Sequence, residues 1–123
     1  MGKFVIDRTE GGYKFRLKAG NGETIGTSTG YDTRTACVKG IECVINSAME
    51  ADIEDLTVKK GGGKRLPKFE IYRDEEKKFR FRLIHKNGSY VLDSQAYTVK
   101  ASCQSGIRSV RENAPKAEVE EVL

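Results

Sequence analysis

A chain of 123 residues and 13.7 kDa has room for one small domain or two very small ones. Hydrophobic residues make up 37% and charged residues 33%, which fits a soluble globular fold, excludes wholesale disorder and leaves no apolar run near the roughly 18 residues of a membrane span. One histidine, no tryptophan and three scattered cysteines without a C-x-x-C give no basis for a zinc site or a disulfide framework, so no metal or cofactor is expected. The start, MGKFVIDRTE, lacks an apolar signal-peptide region, and the expected compartment is the reducing cytoplasm.

The net charge of +4 is unevenly placed. Residues 1–56 carry a net −2 and residues 68–123 a net +2, so the whole excess equals the four cations Lys59, Lys60, Lys64 and Arg65 between them. A nucleic-acid domain usually has a basic folded body. Here the two bodies together are neutral.

The chain is written twice. Residues 3–56 align with residues 68–122 with one single-residue insertion near Glu76, and about 19 of about 54 positions are identical. This divides the chain into a first repeat at 1–56, a flexible Gly/Lys linker at 57–67 and a second repeat at 68–123. A unit of about 56 residues is marginal alone, so the two repeats are expected to pack as one pseudo-symmetric domain.

In chain order, Phe4, Val5 and Ile6 open a short strand, matched by Phe69, Glu70 and Ile71. A turn follows at Glu10 to Gly12, with Asp74 to Lys77 as its counterpart. The next run alternates: Tyr13, Phe15 and Leu17 against Lys14, Arg16 and Lys18, and Phe79, Phe81 and Leu83 against Arg80 and Arg82. Period two with aromatics on one side predicts a half-buried antiparallel strand. Asn21-Gly22 and Asn87-Gly88 predict two-residue type I′ hairpins. Third strands follow at Glu23 to Ser28 and Ser89 to Ser94.

The period then changes. Cys37, Ile41, Val44 and Ala48, and equivalently Cys103, Ile107, Val110 and Ala114, form one apolar helical stripe in each repeat. Gly40 and Gly106 lie on that side and predict a helix backbone pressed against a sheet. Asp32 and Thr98 are the predicted N-caps, and Pro115 stops the second helix by Ala114. A last strand is predicted at Asp52 to Leu56 and at Glu118 to Val122, which makes each repeat β-β-β-α-β.

In the second copy, K-F-x-I-Y-x-D, F-R-F-R-L, N-G, S-x-x-Y and C-x-x-G-I-x-S-V-x-x-N-A-P-x-A resemble the YegP-like family of small bacterial proteins, often tandem, that lack an assigned function. The first copy departs from the pattern at Asp7 and at Ile45 to Met49. The resemblance implies an α+β fold in which two tandem repeats share one antiparallel sheet, with both helices on one face and the C-terminal strands exchanged between repeats. It supplies no catalytic residues.

Two candidate sites emerge. Lys14, Arg16, Lys18, Tyr72, Arg80 and Arg82 fall on the sheet face away from the helices, where basic groups beside an aromatic suit an anion or a nucleic-acid backbone. The plainer reading is a solvated face neutralised by Asp7, Glu70 and Asp93. Ser28, Tyr31 and Arg34, with Ser94, Tyr97 and Lys100, stand at the helix N-termini, where an anion is favoured; the ordinary alternative is a Tyr packed over the helix start.

Other groups give less. Cys37 and Cys103 belong to the buried stripe, Cys43 lies off it, and His85 sits alone on a hairpin. The carboxylates Glu54, Asp55, Glu118, Glu120 and Glu121 read as a charged strand face. No acid, base and nucleophile assemble into a catalytic set. The expectation is a non-enzymatic binding module, monomer or homodimer, acting through the sheet face or the inter-repeat cleft, with a protein or a nucleic acid as the two partner classes and neither identified by the sequence. Weak binding to a nucleic-acid phosphate backbone is the alternative.

Overall fold

The computed structural model describes residues 2–58 and 63–122. The four glycines and lysines at 59–62, on which much of the expected flexible linker rests, lie outside the described residues. The first repeat forms β1 (Lys3–Thr9), β2 (Gly12–Lys18), β3 (Thr24–Thr27), α1 (Arg34–Glu50) and β4 (Asp52–Asp55). The second forms β5 (Lys68–Arg73), β6 (Phe79–Ile84), β7 (Tyr90–Ser94), α2 (Lys100–Asn113), a short 3₁₀ turn at Ala114–Lys116, and β8 (Glu118–Val122).

All eight strands join one sheet in the order β4-β5-β6-β7-β3-β2-β1-β8. The expected exchange is present: β4 of the first repeat lies beside β5 of the second, and β8 of the second lies beside β1 of the first. The six inner strands are antiparallel, while each exchanged strand runs parallel to its neighbour. By the parity of the ladder β4 runs antiparallel to β3, so α1 carries the chain across the sheet to the far edge and does not bring it back to the start of β3. The repeats meet at β3 and β7 through two residue pairs, Gly26 with Ser94 and Thr27 with Asp93.

The predicted stripes are the core. Cys37, Ile41, Val44 and Ala48 of α1 and Cys103, Ile107, Val110 and Ala114 are buried over Phe4, Phe15, Phe69 and Phe81 in one cluster spanning both repeats. Equivalent rings pack alike, Phe4 edge-on to Phe15 at 5.7 Å and Phe69 edge-on to Phe81 at 6.0 Å. Gly40 and Gly106 mark close approach, as expected. A Cβ on Gly40 would lie 2.3 Å from the Tyr31 hydroxyl, and one on Gly106 would lie 2.7 Å from that of Tyr97. At the seam the repeats differ: Gly26 leaves room for Leu92, whose Cγ would sit 2.7 Å from an added Cβ.

Three local expectations are corrected. The Asn-Gly hairpins are not type I′, because only Gly22 and Gly88 take positive φ, at 88° and 89°. Gly22 N–H donates to Ala19 C=O and Ala19 N–H to Glu23 C=O, which makes a three-residue loop closed by a left-handed glycine. The insertion near Glu76 gives the β5–β6 turn the same geometry, with Lys77 at φ 64°.

The N-caps fall one residue later than predicted. Thr33 Oγ1 accepts from Ala36 N–H at 3.1 Å, and Val99 precedes α2 without a side-chain cap. Isolated bridges hold Tyr31 to Tyr13 and Tyr97 to Phe79 in extended form, so the chain needs further residues to turn into the helix. The third strands are also shorter than read, at Thr24–Thr27 and Tyr90–Ser94, because each carries a bulge where its register shifts against β2 or β6.

Candidate functional site

The open face of the sheet is built by the alternation in β2, β5 and β6. It carries Lys14, Arg16 and Lys18 on one half and Tyr72, Arg80 and Arg82 on the other, with β3 and β7 between the halves. The guanidiniums are committed. Arg16 donates to both oxygens of Asp7, at 2.7 and 3.0 Å. Arg80 Nε donates to Asp74 Oδ2 at 2.9 Å, and Arg82 Nε to Glu70 Oε1 at 2.8 Å. The hydrogen bond to Asp7 raises the Arg16 pKa, and the one to Arg80 holds the Asp74 carboxyl below its ordinary range. Asp7 and Glu70 therefore neutralise the face as the plainer reading expected; Asp93 does something else.

Asp93 Oδ1 accepts from the Tyr72 hydroxyl at 2.9 Å. Burial, reinforced by this bond, pushes the Tyr72 phenol up to about 12. Arg82 is stacked between two rings, 4.4 Å from the Tyr72 centroid and 4.9 Å from that of Tyr90. The first repeat has Asp7, Arg16 and Thr24 at the three equivalent positions, so the stack belongs to one half only.

Beside this stack a groove of about 430 Å³ crosses the β3–β7 seam. Thr27, Arg80, Tyr90, Leu92, Asp93 and Gln95 are among its lining residues. The short ladder at the seam opens it. The bulge in β7 turns Val91 and Leu92 both inward and leaves Tyr90 53% exposed. Tyr90 and the groove escaped the pattern reading, which treated β7 as a plain strand. The one available signal was the adjacent apolar pair Val91-Leu92 between Tyr90 and Asp93, which breaks alternation as a bulge does.

The helix starts are occupied from within. Ser28 Oγ accepts from Phe15 N–H at 2.9 Å and donates to Thr29 C=O; Ser94 Oγ repeats this with Phe81 and Gln95. Tyr31 stacks on Phe15 at 6.1 Å, and burial raises the phenols of both Tyr31 and Tyr97. Arg34 is bound to Glu121 and Lys100 to Asp55. Each helix-start cation is thus spent on a carboxylate of an exchanged strand.

The remaining reactive groups do not converge. Cys37 and Cys103 are buried, which raises both thiols, that of Cys103 to about 11, while Cys43 is half-buried. His85 Nδ1 accepts from Asn87 N–H within its own hairpin, and no hydrogen bond joins it to a cysteine among the described residues. Glu54 is bound to Lys68, and Glu120 to Lys3. No group of three potential metal ligands occurs among the described residues, and no helix there is long and apolar enough to cross a membrane.

The fold and its seam define a class: tandem-repeat α+β proteins in which each repeat completes the sheet of the other. A family model described as "Domain of unknown function (DUF1508)" matches the chain twice, at residues 9–55 and 74–121, and the chain belongs to that family. It is 34% identical over 122 residues to a UPF0339 protein from the ptx operon 5′ region of Stutzerimonas stutzeri, covering 98% of this chain and 96% of that one. It is 36% identical over 110 residues to the UPF0339 protein YegP of Escherichia coli, covering 89% and 86%. The solution structure of E. coli YegP, a protein of unknown function, superposes with a TM-score of 0.78 at 30% identity over 98% of this chain and 91% of that one.

Proposed function

We propose that the protein is a non-enzymatic binding module of the cytoplasm and that its ligand site is the inter-repeat groove on the open face. The groove carries this reading. Its volume lies in the range of small-molecule sites, and it joins an apolar floor at Leu92 to hydroxyl, amide and carboxylate groups and an exposed aromatic ring. Three free cysteines fit a reducing compartment.

Amide-resolved NMR against mixtures of small metabolites tests the site. Saturable shifts centred on Thr27, Tyr90, Asp93 and Gln95 are expected, and Tyr90→Ala is expected to weaken them. Shifts centred elsewhere, with the groove unmoved, would overturn the assignment.

Lys14 and Lys18 favour the second reading, weak attachment to a nucleic-acid backbone. No carboxylate lies within ion-pair distance of either side chain among the described residues. A mobility-shift titration at about 50 and about 200 mM salt separates the readings, because phosphate contacts weaken steeply with salt. Absence of any shift at the lower salt removes the second reading.

A further inference from the structure

We infer that the groove selects a cationic ligand, a guanidinium or ammonium group held by Asp93 against the ring of Tyr90. The inference rests on the groove being the ligand site and adds the chemistry that it recognises.

The argument is one of charge and shape. On the second repeat's half of the open face, three cations, Lys68, Arg80 and Arg82, are bonded to three carboxylates, Glu54, Asp74 and Glu70. Asp93 is the fourth carboxylate there, and no cation lies within ion-pair distance of it among the described residues. The only hydrogen bond to its carboxylate among them is the one that the Tyr72 hydroxyl donates to Oδ1. Asp93 therefore presents a carboxylate oxygen that no described residue occupies.

Arg80, the cation on the groove wall, is turned away from that role by its bonds to Asp74 and to the Ser94 carbonyl. Tyr90 supplies the second element. Arg82 covers it at 4.9 Å, yet the residue remains half exposed and lines the groove. A ring beside a carboxylate that forms no direct ion pair attracts a cation through both its quadrupole and the charge. Thr27 and Gln95 add oxygen acceptors for the remaining N–H groups of a guanidinium.

The test uses N-acetyl-L-arginine amide, with N-acetyl-L-citrulline amide as its uncharged near-isostere and inorganic phosphate as an anion. Each is titrated to about 20 mM into the full chain, a range that registers millimolar affinity. The arginine probe is expected to shift Thr27, Tyr90 and Asp93 with about two- to fivefold greater affinity than citrulline, the reach of one exposed ion pair.

Asp93→Asn keeps an acceptor for Tyr72 while removing the charge, and is expected to abolish that preference. Tyr90→Ala is expected to weaken the arginine probe about threefold. Both positions are exposed, and an unchanged melting transition confirms that each variant is folded. Equal binding of the two amides, or phosphate occupying the groove in their place, overturns the inference and leaves the groove standing as the site. Failure of every probe and metabolite to move groove resonances overturns both.

Discussion

Arg34, in the first turn of α1, donates from Nε to Glu121 of β8 at 2.6 Å across 87 residues of sequence. Its equivalent, Lys100 at the start of α2, donates to Asp55 of β4 at 2.8 Å. In both halves, then, a helix of one repeat is tied to the strand lent by the other. The Lys100–Asp55 pair is the more sheltered, with side chains 30% and 24% exposed. A cross-repeat double-mutant cycle of Lys100→Met and Asp55→Asn is expected to give a coupling of about 0.5–1 kcal/mol by chemical denaturation. Additive single effects would show that the pair does not hold the exchanged strand.

Acid should loosen the same ties. Burial works against ionisation of Asp55, but the hydrogen bonds from Lys100 and Thr57 outweigh it, and the carboxyl stays below its ordinary range. The hydrogen bonds of Lys68, Lys3 and Arg34 lower Glu54, Glu120 and Glu121. A depressed folded-state pKa contributes stability that is complete above the unfolded value, near pH 4 to 4.5, and is lost as pH falls through the folded value. Melting temperature is therefore expected to be level from pH 7 to about 5 and to fall below about 4. A protein equally stable at pH 3 would contradict this.

Gly40 tests the contact between helix and sheet. Alanine is the better helix former by about 1 kcal/mol. Here its methyl would meet the Tyr31 hydroxyl at 2.3 Å and Phe15 Cε2 at 3.1 Å, and the Tyr31 backbone is fixed by its bridge to Tyr13. Gly40→Ala is expected to destabilise by about 1–3 kcal/mol in the native background. In a Tyr31→Ala background the same change should be neutral or stabilising. Loss of the same size in both backgrounds would mean that the tyrosine is not the obstacle.

The cysteines should separate by reactivity. A thiol reacts as its thiolate, and burial opposes ionisation of Cys37 and Cys103. At pH 8 a disulfide reagent is expected to modify Cys43 first and the other two only on unfolding. Rapid modification of all three in the native protein would show that the core opens readily.

What the residues disclosed depended on how local the physics was. The stripe from Cys37 to Ala48 was readable because its period is complete within four turns, and the alternation from Tyr13 to Lys18 because it lies within one strand. The exchange of β4 and β8 was not written in any local pattern. Asp52 to Asp55 shows no preference for Lys68 over Lys3, and only the family resemblance indicated it. The hairpins were misread because Asn21-Gly22 suits two turns, and one extra loop residue decides between them. The groove lay furthest from view, since its walls come from segments joined only where Gly26 meets Ser94, and the bulge at Val91 alters which side chains face outward.

The lent strands also bear on how the polypeptide matures. While the ribosome is still making the second repeat, β1 stands as a bare margin and β4 has nothing to dock on until β5 emerges. The first repeat is fully assembled only after Glu118 to Val122 are made, nearly the whole length later. A nascent chain of this design spends most of its synthesis with an uncovered margin, the situation in which neighbouring copies on one message can trade strands.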